Sequence, residues 1–138
     1  MKTQIVLLSM AFFAVNAPTT FEVSKLSETK SVKISKSENY DFIMFRAYHE
    51  CKGVNVSWAL NSTNGVFVFT LQRTYESPSN PEALWEDVES FVPDGESALR
   101  YIDNNITPGI ISYRVIAWVF DGSSVVSAVS RVRVWAHR

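Results

Sequence analysis

The sequence has little of what catalytic and metal-binding sites usually need. It contains one cysteine, Cys51, and two histidines, His49 and His137. A single cysteine cannot form a disulfide within the chain or build a cysteine-based zinc site. Neither histidine lies in a Gly-x-Ser-x-Gly or His-Glu-x-x-His context, so no nucleophile–base pair or metal motif is visible. We therefore expect a protein that is not an enzyme and that needs no metal or cofactor.

The chain also lacks an excess of charge of either sign. Thirteen Lys and Arg residues oppose fourteen Asp and Glu residues, which gives a net charge of −1 and argues against a nucleic-acid partner. The charges are nevertheless segregated, because no Lys or Arg occurs between Thr74 and Leu99, whereas the end of the chain is basic. The acidic run lacks a calcium-loop pattern, and we interpret it as a solvated edge. The run contains the neighbouring carboxylates Glu86, Asp87 and Glu89. If they line a cleft, a small hydrolase is an alternative function.

No hydrophobic run is long enough to cross a membrane, which takes about 20 residues. The longest run, 5–15, follows Lys2 and precedes Val15-Asn16-Ala17, which has the form of a signal-peptide cleavage site. We therefore expect residues 1–17 to be a signal peptide and the protein to be exported, with no membrane span after the signal is removed. Pro18 directly after the expected cut is unfavourable for a signal peptidase.

Beyond the signal the composition changes twice. Residues 18–42 are rich in Ser, Thr, Lys and Glu and predict a polar, flexible leader. Residues 43–138 carry apolar side chains at every second position, interrupted by turn clusters such as 61–65. This alternation predicts about seven short strands. The last of them is predicted to run without interruption over 125–135, and segment 83–91 fits either a helix or a strand. This pattern predicts an all-β, antiparallel, immunoglobulin-like β-sandwich.

Three segments follow one another along the chain: Val54-x-Val56-x-Trp58, then Phe69-x-Leu71-x-Arg73, then Ile106-Thr107-Pro108-Gly109 followed by Tyr113-Arg114-Val115. In this order they resemble a fibronectin type III domain of the short kind found in bacterial secreted proteins. The first segment is similar to the second strand of that family, the second to its third strand, and the last to its loop and penultimate strand. The resemblance implies structural roles for Trp58, Phe69, Leu71, Tyr113 and Val115. It also implies a tyrosine corner, in which the Tyr113 hydroxyl bonds to nearby backbone.

The most informative feature for function is the face of the penultimate strand that the core does not need. If Tyr113 and Val115 point inward, alternation directs a neighbouring set of side chains outward: Val68, Arg114, Ile116, Trp118 and Phe120. Such an exposed apolar face is typical of a partner surface, unless the leader segment 21–34 covers it.

We therefore expect a non-catalytic binding or adhesion module for a protein partner. The alternative is a carbohydrate-binding module that uses the tryptophans at 85, 118 and 135. Cys51, in the first predicted turn, is either a small turn residue or a thiol that pairs with another chain.

Overall fold

The computed structural model describes residues 38–136. The expected signal peptide and all of the leader up to residue 37 lie outside the described residues, as does His137. The described part consists of eight strands joined by turns and loops: β1 (Phe42–Glu50), β2 (Gly53–Leu60), β3 (Val66–Thr74), β4 (Glu86–Phe91), β5 (Ala98–Asp103), β6 (Gly109–Val119), β7 (Ser124–Val126) and β8 (Ser130–Val134).

The strands form two antiparallel sheets. One has three strands in the order β1-β2-β5, and the other has five, in which β4, β3 and β6 are successive neighbours and both β7 and β8 pair with β6. The predicted all-β sandwich is thereby confirmed, and the ambiguous segment 83–91 contains a strand.

The prediction of one continuous last strand is wrong. Ser127 interrupts it, because its hydroxyl oxygen accepts a hydrogen bond from the Val115 backbone N–H at 2.9 Å, where a strand carbonyl would otherwise serve. The Ser127 N–H in turn donates to the Val115 carbonyl at 2.9 Å. The regular pairing with β6 therefore stops between β7 and β8. The first of these strands pairs with Ile116–Trp118, and the second pairs with Gly109–Tyr113.

The core lies between the two sheets and is built from the inward positions of β2, β3 and β6. Trp58 is its largest side chain, with its ring in edge contact with Phe91 at 5.3 Å and with Phe69 at 6.1 Å between centroids. Full burial of a large apolar side chain contributes about 1.5–3 kcal/mol. The structure buries all five residues to which the resemblance gave structural roles: Trp58, Phe69, Leu71, Tyr113 and Val115.

The start of β3 departs from simple alternation. Its pairing with β6 shifts between Val66 and Val68, and Val66 takes the buried position opposite Val119. Strict alternation would place Phe67 on the inner face with Phe69 and Leu71, but its side chain is 41% exposed. The reason is a β-bulge, which adds one residue to the strand and reverses the facing of the residues before it.

The folded part begins slightly before the predicted boundary at residue 43. The Asp41 N–H donates to the Asn61 side-chain oxygen at 3.0 Å, and the Asn61 amide donates to the Asn39 carbonyl at 2.7 Å. The Tyr40 hydroxyl donates to the Asn64 carbonyl. Residues 39–41 are thus held against the β2–β3 turn, although their polar composition suggested a leader.

Candidate functional site

A charged cluster lies between the two sheets at one end of the sandwich. Alternation in β3 places Arg73 on the inner face, where its Nη1 donates to the Asp103 carboxylate of β5 at 2.7 Å and to the Asn105 carbonyl at 2.6 Å. Its Nε and Nη2 donate to the Glu86 carboxylate of β4 at 3.1 and 3.3 Å. Arg73 and Asp103 are both buried, whereas Glu86 reaches solvent. One guanidinium therefore links strands of both sheets.

The Tyr113 hydroxyl completes this cluster. It donates to the Asp103 carboxylate at 3.0 Å, not to nearby backbone, so the expected tyrosine corner is not formed. The buried carboxylate is the stronger acceptor and takes the hydroxyl hydrogen. Burial and the adjoining Asp103 carboxylate raise the pKa of Tyr113. Burial alone would lower the pKa of Arg73, but its bonds to Glu86 and Asp103 raise it overall, and the guanidinium stays charged.

The outer face of the five-stranded sheet is divided into a polar half and an aromatic half. In the polar half, the Arg114 guanidinium lies 4.0 Å from the centroid of the Trp85 ring, and its Nε donates to Gln72 at 2.8 Å. Gln72 in turn donates to Asp87 at 2.7 Å. Burial lowers the pKa of Arg114. Arg114 is therefore engaged within the fold and is not a free cation on the predicted surface.

The prediction that Ile116 is exposed on the surface is also wrong. It faces outward as predicted, but it is only 8% exposed. It lies in a central strand with Thr70 opposite it on β3 and Val126 opposite it on β7. Neighbours on both sides leave it little contact with solvent.

The aromatic half is exposed and forms what we call the aromatic patch, defined as Phe67, Trp118 and Phe120. Phe120 is 77% exposed and Trp118 is 38% exposed. The Phe67 and Phe120 rings contact each other, with centroids 5.2 Å apart. The Trp118 indole N–H donates to the Thr70 hydroxyl at 3.2 Å, which fixes the ring across the sheet. Half-buried Val68 lies opposite Trp118 and extends the patch.

The same end of the sheet is closed by the β6–β7 hairpin. The Asp121 carboxylate accepts hydrogen bonds from the Ser123 hydroxyl and N–H at 2.5 and 2.8 Å, and these bonds lower its pKa. The Phe120 N–H donates to the Gly65 carbonyl of the β2–β3 turn at 2.8 Å. The backbone under the aromatic patch is therefore held by two hydrogen-bonded turns.

The three outer tryptophans do not share one surface. Trp118 is near the end of β6, whereas Trp135 follows β8, whose last residue, Val134, pairs with Gly109 at the start of β6. Gly109 and Trp118 are nine residues apart along β6, which corresponds to about 30 Å. Trp85, at the opposite edge of the sheet, is covered on one face by Arg114.

The remaining sequence candidates occupy ordinary positions. Cys51 is an exposed free thiol in the two-residue turn between β1 and β2, with a φ of 50°. Over 38–136, no three His, Cys, Asp or Glu side chains come together as metal ligands. Nor does that part of the chain contain a helix long and apolar enough to cross a membrane.

Comparison with solved structures gives the fold a context. The chain is similar to a pectate lyase from Pectobacterium carotovorum, with 14% identity over 72% of this chain and a TM-score of 0.52. It is similar to a second pectate lyase, from Erwinia chrysanthemi, with 18% identity over 68% of this chain and a TM-score of 0.50. The chain spans 28% of each lyase chain.

A third similar structure is an Fn3-like protein from Clostridium thermocellum, with 16% identity and a TM-score of 0.45. The match covers 69% of this chain and 92% of the Clostridium chain. In this chain, the two antiparallel sheets, β1-β2-β5 and the five-stranded sheet of β3, β4, β6, β7 and β8, have the architecture that immunoglobulin-like and fibronectin type III domains share. The fold is fibronectin type III-like. No family model matches the sequence, and no curated protein matches it either. At these identities the likeness to the solved structures concerns the fold alone.

Proposed function

We propose that this protein is an exported, non-catalytic binding module that engages a protein partner through the aromatic patch. The observation that carries the proposal is the Phe67–Phe120 ring contact beside Trp118, exposed at one end of the sheet. These side chains face away from the sandwich core. Solvent-exposed aromatic clusters are costly to keep in water and commonly mark interaction surfaces.

The composition and rigidity of the patch favour a protein partner. Aromatic side chains are enriched at protein interfaces, and tryptophan is among the most frequent residues that dominate binding energy. The Trp118–Thr70 hydrogen bond and the two turns below the patch hold it in place. A preorganised surface loses less side-chain entropy on binding than a flexible one.

A carbohydrate-binding function through all three outer tryptophans has less support. One of the similar lyases was crystallised with tetragalacturonic acid, but the chain covers only 28% of that protein. Trp85 is stacked on Arg114, and Trp118 and Trp135 lie at opposite ends of the sheet. A single polysaccharide chain would not meet the three rings as one platform.

The proposal is tested by affinity capture from the culture of the source organism, read by mass spectrometry. Three baits are compared: the full chain, Phe120→Asp, and Leu84→Asp as the matched control. Leu84 is 78% exposed, as Phe120 is at 77%, but it lies in the β3–β4 connection. We expect a protein retained by the first and third baits to be lost from the second. Equal retention by all three baits would contradict the proposal.

The alternative that residues 21–34 cover the patch is tested separately by thiol reactivity. Phe120→Cys and Leu84→Cys are each made in a Cys51→Ser background, so that each chain carries one thiol. An open patch predicts similar labelling rates for the two positions, because their exposure is equal. Slow labelling at position 120 alone would show that it is covered.

Amino-terminal sequencing of the secreted protein tests export.

A further inference from the structure

The edge strand β8 carries a regular row of outward side chains at the far end of the sheet from the aromatic patch. Arg131 and Arg133 are exposed, and Trp135, two residues further, is 65% exposed. Their inward neighbours, Val132 and Val134, are buried. Alternate strand residues are about 7 Å apart, so the two cations lie in line along β8, and the indole follows directly after the end of the strand. We call this line the β8 ladder.

The positive charge of the β8 ladder is not neutralised within the described residues. The ion pairs of residues 38–136 involve Arg73 and Arg100, and neither Arg131 nor Arg133 has a carboxylate within ion-pair distance there. The Arg133 guanidinium instead lies 5.1 Å from the centroid of the Trp135 ring. The carboxylates of β4 are at the opposite edge of the same sheet. The β8 ladder is therefore locally basic in a chain whose net charge is −1.

Beside the ladder is a shallow, open depression of about 410 Å³ with a mostly apolar lining. It lies between the start of β6 and the end of β8, and its lining includes Ile110, Arg133 and Trp135. Its walls combine one exposed aromatic ring with a guanidinium, so they offer an apolar stacking surface next to a carboxylate-binding fork.

We propose that the β8 ladder binds a polysaccharide that carries carboxylate groups. The apolar face of a sugar ring stacks on the face of the Trp135 indole that is not occupied by Arg133, and ring carboxylates receive hydrogen bonds from Arg133 and Arg131. Charge-assisted bonds from arginine to carboxylate are short and can be bidentate, which gives preference over a neutral glycan. This site is separate from the aromatic patch and does not depend on the proposed protein partner.

Two other occupants are less well matched to the ladder. A nucleic acid would require a broad basic surface, whereas this edge offers two described cations in a chain of net negative charge. Addition of another strand along β8 is disfavoured, because charged side chains on an edge strand oppose edge-to-edge pairing.

The test measures binding of the full chain to alginate, to its propylene glycol ester and to single-stranded DNA, by calorimetry at low and high salt. The ester has the same backbone but lacks the negative charge. We expect alginate binding that weakens with salt, and little binding to the ester or to DNA. No alginate binding, equal binding to the ester, or tighter binding to DNA would each overturn the proposal.

Variants then assign the binding to the ladder. Arg133→Gln and Trp135→Ala are each expected to weaken alginate binding about tenfold or more, and Trp135→Phe is expected to keep most of it. The charge control is Arg46→Gln, an exposed arginine on β1 of the other sheet. An equal loss in Arg46→Gln would refute the site. Phe120→Asp is expected to bind alginate normally, which separates this proposal from the one on the aromatic patch.

Discussion

Replacing Arg73 with methionine is the most demanding test of how the sandwich is held together. Methionine keeps much of the side-chain length but removes the charge and every hydrogen bond of the guanidinium. Asp103 would then remain buried with two donors, the Tyr113 hydroxyl at 3.0 Å and the Asn105 N–H at 3.2 Å. Glu86 would lose its partner too, but its side chain is largely in solvent. The destabilisation should therefore arise mainly from the buried Asp103 carboxylate.

The size of the effect follows from the geometry of the pair. The Arg73–Asp103 contact is 2.7 Å long and both side chains are buried, so solvent screens it little. Removing one partner of such a pair typically costs about 3–5 kcal/mol. Asp103→Leu should cost less, about 1.5–3 kcal/mol, because Arg73 keeps Glu86 and the Asn105 carbonyl. The double variant should be more stable than the sum of the singles implies, with a coupling of about 2 kcal/mol or more.

The assay is urea unfolding of the wild type, both single variants and the double variant, followed by tryptophan fluorescence and circular dichroism. The Arg73→Met midpoint should fall by about 1–5 M urea, since the slope for small proteins is about 1–3 kcal/mol per M urea. A loss below about 1 kcal/mol, or single effects that add within about 0.5 kcal/mol, would refute the view that this pair links the two sheets.

Three further substitutions test other parts of the fold. Because the pKa of Tyr113 is raised, its contribution to stability is fully present below about pH 10 and falls above it, by about 1.4 kcal/mol per pH unit, as the unfolded chain ionises. Tyr113→Phe should remove that alkaline slope in urea unfolding, and an unchanged slope would contradict the assignment. Trp58→Ala should lower the free energy of unfolding by about 3–5 kcal/mol, whereas a loss near 1 kcal/mol would show a loosely packed core. Ser127→Ala should cost about 1–3 kcal/mol, with faster hydrogen exchange at the Val115 amide, and unchanged exchange there would argue against the Ser127 bond.

Much of the fold could be predicted because it depends on local alternation. The inward positions of β2 and β6 follow a period of two, and Trp58, Tyr113 and Val115 are buried in the structure. The strand break at Ser127 was not predictable, because it depends on one hydroxyl replacing a carbonyl across the sheet. The Phe67 reversal was missed for a similar reason, since a β-bulge is a property of strand pairing.

The candidate site was predicted only in part. Trp118 and Phe120 are exposed as the alternation indicates, but Ile116 is covered by its position in a central strand. Arg114 is engaged by Trp85 and Gln72, which come from other strands or connections. The Arg73–Asp103 pair joins residues 30 positions apart in two sheets. The one sequence signal for it was a charged residue at an inward position of β3.

The central claim is that the aromatic patch is the partner-binding surface. Once affinity capture identifies the retained protein, its Kd is measured with the wild-type chain, Phe120→Asp and Leu84→Asp. We predict that Phe120→Asp raises the Kd about 30-fold or more, as loss of a dominant interface residue does, and that Leu84→Asp changes it less than about twofold. Equal affinities for the wild type and Phe120→Asp, with both chains folded, would contradict the account.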